Sequence, residues 1–429
     1  MRRTNEAIAF AVLLCLVTLA GAELLLRGPL RVTSAGDMAS PYLSALRFIH
    51  GQNPYPSNDT IARWHGPGGP VNLSVDAAGW QPIFPPTYPP TALLVVAPLA
   101  ELPWAWAIRC YAWACILGYL GLVWLLSRLV GDTWRSWKRL GFAAFALAIS
   151  PIQAGITQGN LSILALILCG YALYLAYMGD HPACGILLAL GFCVKPTSAL
   201  AAVLIVLLYG RKKCVLVFLA VSALLAGCAA IVMFHINPHW KADYQNNLGF
   251  LFGPNGGANF TTQNLDRFDL INLQMPFYSI LHNARAANCL AWTVALLLAM
   301  VWLCLFLRGR NFKPASYWLG VGSLSLLALL PVYQRNYNAG VILFVAVWAF
   351  GNIHETLAKA ALLAGGVFLI PGEAILRRTG LADRFSGSAL WNSLAMSQLS
   401  WAIVVVVVLC LLVQWKSDAH GPAVSGLRA

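Results

Sequence analysis

Charged residues are scarce in this sequence. Only 10% of its 429 residues are charged, whereas 59% are hydrophobic, and the mean hydropathy is +0.70. So few charges cannot cover the surface of a soluble protein of this length. The scarcity therefore excludes a soluble globular protein and predicts an all-α polytopic membrane protein, because helices satisfy their own backbone hydrogen bonds in lipid.

The motifs of nucleotide and metal chemistry are missing as well. The sequence has no phosphate-binding Walker loop, no GxGxxG after a strand, no HExxH and no DxD pair. Its 11 cysteines lie within or at the ends of apolar stretches, without a CxxC pair or a His at ligand spacing. We predict no cytosolic nucleotide chemistry, zinc site or disulfide framework. No cofactor is expected, with a metal ion left open.

Acidic residues are few, and the basic residues have a consistent location. The chain has 28 Lys and Arg but 15 Asp and Glu, a formal net charge of +13. The basic residues lie mainly in links between apolar stretches, where the positive-inside rule expects them on the cytoplasmic side, so nucleic acid is not a predicted partner. These links are 128–139, 211–213 and 308–313, with Arg2, Arg3 and Lys416 near the termini.

The apolar stretches predict about twelve membrane crossings with both termini inside. The first is interpreted as a retained helix, because its apolar stretch is long for a signal peptide and no cleavage site stands out. The predicted spans are 7–26, 104–130, 140–156, 158–178, 183–194, 197–210, 214–235, 287–307, 315–331, 338–351, 357–371 and 394–415.

Two stretches need separate treatment in this topology. A single span over 183–210 would place Lys195 in mid-membrane, at a cost of about 2.5–3.5 kcal/mol. A break before Pro196 avoids this cost, since proline disfavours helix at the preceding residue. A crossing at 88–102 would put the link at 128–139 outside, so we predict that 88–102 re-enters or lies along the outer face. Outer loops then remain at 27–87, 236–286 and 372–393, within one membrane domain covering 1–429.

The first outer loop holds the leading candidate for chemistry, Asp37. Ser40 and Pro41 have the pattern of a helix cap followed by a first-turn proline, and Gly51 is the predicted stop. The apolar residues of this short helix recur on one face, so we expect it to lie flat at the membrane interface and to hold Asp37 near headgroup depth. The competing interpretation of Asp37 is a solvated loop acid or a helix cap.

Basic and amide side chains on the same side could bind a phosphate-bearing lipid. The outer cations are Lys195, Lys241, Arg267, Arg285 and Arg335. Lys195 and Arg335 lead this set because they interrupt apolar stretches, where a charge needs a partner, although each could instead snorkel to the interface. The amides of Gln158, Asn160 and Asn264 could hydrogen-bond sugar hydroxyls or cap local structure.

Several short motifs follow one another between residue 36 and about residue 200. They are Gly36-Asp37, Gly51-Gln52-Asn53-Pro54-Tyr55, Tyr88-Pro89-Pro90 followed by Ala97-Pro98-Leu99, Gln158-Gly159-Asn160, and Lys195-Pro196-Thr197. In this order and spacing the chain resembles glycosyltransferase family 87, membrane enzymes of the GT-C fold that are similar to polyprenol-phosphate-mannose-dependent mannosyltransferases.

The resemblance implies an inverting glycosyltransferase of the bacterial inner membrane with its active site on the periplasmic side. Asp37 would be the general base, and Lys195, Arg335 and Arg267 would bind the donor phosphate. The expected partners are a polyprenyl-phosphate sugar donor, with mannose as the sugar, a glycolipid or glycan acceptor, and membrane lipids. The residues expected to bind sugar or acceptor are Tyr42, Asn53, Tyr55, Tyr88, Gln158, Asn160 and Asn264.

One segment departs from the family pattern. Where many members carry a Trp- and His-containing motif after a late proline, this chain has Pro331-Val332-Tyr333-Gln334-Arg335-Asn336-Tyr337. Arg335 would then replace a phosphate contact, or the donor would differ. Two alternative functions stay open: a lipid-diphosphate-dependent oligosaccharide ligase, and a lipid or sugar transporter or flippase, which short proline-interrupted spans also fit.

Overall fold

The computed structural model describes residues 2–30, 36–56, 85–131, 136–254, 256–308, 314–370 and 372–419. Within these ranges the chain is helical and has no β-strand, apart from an isolated antiparallel bridge between Leu270 and Arg335. The predicted all-α fold is therefore confirmed. Residues 57–84 of the first outer loop, and 132–135 and 309–313 of two basic links, lie outside the described residues.

The helices are numbered along the chain. They are α1 (Arg2–Arg27), α2 (Gly36–Ile49), α3 (Pro90–Ala100), α4 (Trp104–Val130), α5 (Trp137–Ala148), α6 (Ser150–Gln158), α7 (Leu161–Met178), α8 (Pro182–Val194), α9 (Pro196–Leu208), α10 (Lys212–Ile236), α11 (Trp240–Phe252), α12 (Gln274–Leu281), α13 (Ala284–Arg308), α14 (Pro314–Leu327), α15 (Ile342–Gly351), α16 (Thr356–Gly365), α17 (Gly372–Arg378), α18 (Leu381–Arg384), α19 (Ala389–Leu394) and α20 (Gln398–Ala419). Short 3-10 turns cover Arg267–Asp269, Asn336–Val341 and Gly366–Leu369.

Six helices in the described chain are long and apolar enough to cross a membrane: α1, α4, α7, α10, α13 and α20. The bent pair α5 and α6 makes a seventh if it is counted as one span. At the other predicted spans lie shorter apolar helices, α8, α9, α14, α15 and α16. The structure thus supports a multi-pass membrane protein, and the full count of crossings stays a prediction.

Proline accounts for two interruptions of the apolar stretches. α9 begins at Pro196, directly after Lys195, so the predicted break is confirmed. The span predicted at 140–156 is instead two helices bent by 43°. Pro151 has no N–H group and fits best in a first helical turn, so a new helix begins at Ser150.

The first-loop helix α2 differs from its prediction at one end. It begins at Gly36, a turn before the predicted start at Ser40, because burial of Met38 and Ala39 stabilises the additional turn. It stops as predicted at Gly51, whose φ of 66° suits a glycine after a helix. Buried residues lie on several sides of α2, so it packs more deeply in the protein than one apolar face would require.

α3 covers most of the segment 88–102. At 11 residues it is roughly 17 Å long, about half the thickness of the hydrocarbon core. It packs against α2, α8 and α10, and the Thr91 hydroxyl donates a hydrogen bond to the Cys193 carbonyl at 3.0 Å. Its short length supports the prediction that this segment does not cross the membrane, which stays a prediction.

A polar cluster around Asp243 joins α11 to the first outer loop. Its Oδ2 accepts hydrogen bonds from Asn53 Nδ2 and Asn237 Nδ2, both at 2.8 Å. Beside this cluster, the buried ring of Tyr55 lies 5.1 Å from the ring of Tyr244. Polar and aromatic contacts together therefore hold α11 against the first loop.

A second outer contact joins the 3-10 turn at Asp269 to α17. The carboxyl groups of Asp269 and Glu373 are hydrogen-bonded, and Glu373 also pairs with Arg377 at 2.5 Å. Burial, reinforced by Glu373, raises the pKa of Asp269 to about 8. The next residue, Leu270, bridges to Arg335, so this contact supports the segment that carries Arg335.

Gly185 of α8 packs against the backbone of α10. A Cβ atom at this position would lie 2.4 Å from the Cys214 carbonyl oxygen and 2.7 Å from the Phe218 amide nitrogen. We expect Gly185→Ala to destabilise the protein by about 1–3 kcal/mol through overpacking, measured as a lower thermal unfolding midpoint in detergent. The control is Gly227→Ala on α10, where nothing lies within 4 Å and the midpoint should not fall. An equal loss in both variants would contradict the close helix contact.

The Asp269 carboxyl should make the contact with α17 depend on pH. Its pKa rises from 3.8 to about 8 on folding, so the folded chain holds a proton that the unfolded chain releases between these values. The contribution to stability is fully present below about pH 4, declines as the pH rises, and is lost above about pH 8. Hydrogen exchange of residues 372–384, corrected for intrinsic rates, should therefore accelerate across this window.

Asp269→Asn should remove the pH dependence of the corrected exchange rates of residues 372–384, because a neutral amide does not titrate. Asp266→Asn is the matched control, since this neighbouring acid is exposed. A flat profile in the unsubstituted protein, or the same slope in Asp269→Asn, would rule out Asp269 as the source.

Candidate active site

A cavity of about 300 Å³ lies between α2, α11, the junction of α8 and α9, and residues 333–337. Five of the predicted site residues line it: Asp37, Tyr88, Asn160, Lys195 and Arg335. Folding thus brings the predicted base, the two leading cations, one amide and one tyrosine to the same place.

Asp37 lies in the first turn of α2, half-buried at the cavity wall. Its Oδ2 accepts a hydrogen bond from Asn160 Nδ2 at 2.8 Å. A carboxylate is favoured in the first turn of a helix, where unpaired N–H groups point towards it. Asp37 is therefore held by a defined donor and is not a solvated loop acid.

Asn160 has a fixed orientation because one of its neighbours can only donate. It is the N-cap of α7, and its Oδ1 accepts from the Ser162 backbone N–H at 2.9 Å. The amide Nδ2 must then face the other way, towards Asp37. Asn160 is thus both a helix cap and a cavity residue, and its predicted contact with sugar stays a prediction.

Lys195 is held by oxygen atoms from two distant segments. Its Nζ donates to Ser162 Oγ and, at 3.1 Å, to Asn338 Oδ1. The ammonium also lies 5.3 Å from the centre of the Tyr337 ring. Burial lowers the pKa of Lys195 to about 7, and the negative charge of Asp37 opposes this shift. The protonated form has three hydrogens, so one is left for a ligand in the cavity that Lys195 lines.

Arg335 reaches the cavity from the segment after α14. It interacts electrostatically with Asp37 and with Asp269. The backbone of this segment is fixed by the Ile271 N–H, which donates to the Gln334 carbonyl at 3.0 Å. The segment that departs from the family pattern therefore places a cation in the same cavity as Asp37.

Tyr88 contributes a phenol to the cavity wall. Burial, reinforced by the negative charge of Asp37, raises the pKa of Tyr88, so its hydroxyl stays protonated and can donate. The Tyr88 carbonyl accepts a hydrogen bond from the Tyr55 hydroxyl at 2.9 Å. The first loop therefore also supports the segment that carries Tyr88.

The rest of the cavity wall is largely apolar. α11 contributes Leu248, Leu251 and Phe252, and Val194 lies at the end of α8. Phe252 is 58% exposed, so the apolar wall continues to the outer surface of the protein. A ligand with a charged head and an apolar tail matches this division. Within the described ranges, His, Cys, Asp and Glu side chains form no group of three that could hold a metal.

Four predicted residues of the first half of the chain lie outside the cavity lining. Tyr42 is buried, and its hydroxyl donates to the Leu102 carbonyl at 2.8 Å. Asn53 donates a hydrogen bond to Asp243, and Tyr55 packs against Tyr244, so both hold the first loop against α11. Gln158 is half-buried at the end of α6. Their predicted contacts with sugar or acceptor stay predictions.

Asn264 and Arg267 lie together in the second outer loop, also outside the lining. Asn264 is buried and stabilises its own loop, since its Oδ1 accepts from the Asp266 N–H at 2.9 Å. The Arg267 guanidinium lies 4.3 Å from the centre of the Phe268 ring. The predicted phosphate contact of Arg267 stays a prediction.

Sequence reasoning overlooked Ser162, Tyr337 and Asn338, which surround Lys195. Ser162 stands two residues after the capping amide of α7, and Asn338 stands three residues after Arg335. The one available signal was that Ser162 and Asn338 stand close in sequence to Asn160 and Arg335. A serine or asparagine near a helix start is ordinarily explained by capping.

A comparison with protein families identifies the family of the chain. A family model for glycosyltransferase family 87 matches residues 87–331, more than half of the chain. The matched range contains Tyr88, Asn160 and Lys195, whereas Asp37 and Arg335 lie outside it. No curated protein and no solved structure matches the chain. With its apolar helices and this match, the chain is a multi-pass membrane transferase, consistent with the GT-C type, and it belongs to glycosyltransferase family 87.

Proposed function

We propose that this enzyme transfers a sugar from a polyprenyl-phosphate donor to a hydroxyl group of a lipid-linked or glycan acceptor. The observation that carries the proposal is one carboxylate, Asp37, in the same cavity as two cations, Lys195 and Arg335. A carboxylate suits removal of a proton from a hydroxyl, and cations suit a departing phosphate. Mannose is the proposed sugar, on the strength of the resemblance described above.

Asp37 acts as the general base through one defined oxygen. Because Oδ2 accepts from Asn160, Oδ1 takes the proton of the acceptor hydroxyl. The acceptor oxygen forms its bond to the anomeric carbon on the face opposite the phosphate, while the bond from that carbon to the phosphate oxygen breaks. The electron pair of the broken bond leaves with polyprenyl phosphate, so the configuration at the anomeric carbon inverts.

Lys195 and Arg335 stabilise the phosphate as its negative charge increases. The Lys195 hydrogen that is not directed to Ser162 or Asn338 points to the donor phosphate. Phosphate leaves without a general acid, so a single carboxylate suffices, in contrast to the two carboxylates of glycosidases.

The apolar wall of α11 accommodates the isoprenoid chain of the donor. Leu248 and Leu251 line the cavity, and the exposed Phe252 extends this path towards lipid. Because the basic links favour the cytoplasmic side, the loop with Asp37 faces the other side of the membrane. The proposal includes a bacterial inner membrane, with this face towards the periplasm.

Asp37→Asn should abolish transfer while leaving the fold intact. The amide has the same shape but cannot take the acceptor proton, so we expect the rate to fall roughly 10²–10⁴-fold. Purified protein in nanodiscs, given radiolabelled polyprenyl-phosphate mannose and a membrane glycolipid extract, would report the label in a new glycolipid. Asp266→Asn removes an exposed acid and serves as the control.

Normal transfer by Asp37→Asn would reject the proposed base. Transfer only from a lipid-diphosphate donor would indicate the ligase, and donor flux across liposomes without a covalent product would indicate the transporter. Transfer from a polyprenyl-phosphate donor carrying another sugar would correct the sugar alone.

Lys195→Met should raise the KM for the donor by about tenfold or more, because a charge-assisted hydrogen bond to phosphate is lost. Arg335→Met should act in the same direction. Lys241→Met is the control, since this ammonium lies over the Phe234 ring at 5.3 Å and outside the cavity lining. Equal effects of all three substitutions would point to general electrostatic attraction and against a defined phosphate site.

A further inference from the structure

Ser162 connects the two halves of the proposed site. Its hydroxyl accepts a hydrogen bond from Lys195 Nζ and lies 2.5 Å from Asn160 Oδ1. Asn160 in turn donates to Asp37. Ser162 is 2% exposed, so bulk water does not compete for these contacts. One buried hydroxyl therefore stands between the cation and the base.

The donor and the acceptor of each hydrogen bond in the series from Lys195 to Asp37 are determined. An ammonium has only donors, so Lys195 donates to Ser162 Oγ. The hydroxyl keeps its own hydrogen, and Asn160 Oδ1, which also accepts from the Ser162 N–H, is its acceptor. In the last hydrogen bond of the series, Asn160 Nδ2 donates to Asp37 Oδ2. The amine of Lys195 is thus the donor at one end, and Asp37 Oδ2 is the acceptor at the other.

We infer that Ser162 is a positioning residue that couples the phosphate-binding ammonium of Lys195 to the orientation of the base Asp37, an inference that rests on the proposed function. Loss of the hydroxyl would leave Asn338 as the remaining side-chain oxygen partner of Lys195 in the described chain. It would also remove one of the two donors that orient Asn160. Both donor binding and turnover should therefore suffer.

A small cavity beside Ser162 permits a matched pair of variants. This cavity of about 20 Å³ is bordered by Ser162, Ser198, Ser325, Tyr337 and Asn338 together with apolar side chains. Ser162→Thr keeps the hydroxyl and adds a methyl group next to this space. Ser162→Val has nearly the same shape as the threonine variant but has no hydroxyl. The difference between the two variants isolates the hydroxyl group.

The test is a double-mutant cycle with Lys195→Met, measured by binding of polyprenyl monophosphate. We expect Ser162→Val to weaken binding roughly tenfold and to lower kcat, while Ser162→Thr stays within about twofold of the unsubstituted protein. In the Lys195→Met background, Ser162→Val should weaken binding by less than about twofold, because the hydroxyl acts through the ammonium. Independent losses that multiply, or equal behaviour of the two Ser162 variants, would overturn the inference.

The binding measurement separates this inference from the proposed function, because binding requires no turnover. Coupling between Ser162 and Lys195 without Asp37-dependent transfer would support the positioning role at a phosphate site and reject the proposed chemistry. Asp37-dependent transfer without coupling would reject the positioning role and leave the proposed function intact. Ser162→Val should have a lower thermal unfolding midpoint than Ser162→Thr, because Lys195 and Asn160 each lose a buried hydrogen bond. Binding is therefore measured well below both midpoints, where each variant is folded.

Discussion

A positive charge at a break between two apolar helices is the constraint on which the site depends. Lys195 follows the last residue of α8, and withdrawing its ammonium from water is costly unless oxygen atoms surround it. Ser162 at the start of α7 and Asn338 in the turn after α14 supply those atoms. Because these partners are far apart in the sequence, satisfying one charge holds α7, the junction of α8 and α9, and the segment with Arg335 around one cavity.

The outer loops complete this arrangement from the other side. Asp243 ties α11 to the first loop, and the bridge between Leu270 and Arg335 ties the second outer loop to the segment after α14. Polar and aromatic contacts hold these loops, whereas α11 presents Leu248 and Leu251 to the cavity. The apolar wall beside two cations suits a substrate with a charged head and an apolar tail.

The sequence predicts those site residues whose signal comes from their own neighbours in the chain, and it does not predict those that depend on tertiary contacts. Charges in apolar stretches are costly in any fold, so Lys195 and Arg335 stood out, and proline made the break after α8 visible. Ser162 and Asn338 carry no comparable signal, because their residue types are common near helix starts and only tertiary structure brings them to Lys195. The start of α2 was wrong for a related reason: the local cap at Ser40 is overridden by burial of the preceding turn.

Asn160 both caps α7 and donates to Asp37, and this has a consequence for the order in which the site forms. A helix cap is a local structure that arises together with its helix, so the Asn160 side chain is oriented as soon as α7 forms. Asp37 then meets a donor that is already aligned when α2 packs against it. The entropy of fixing this amide is therefore lost during membrane insertion and folding, not in each catalytic cycle, and the enzyme would begin every turnover with this part of the proposed site in place.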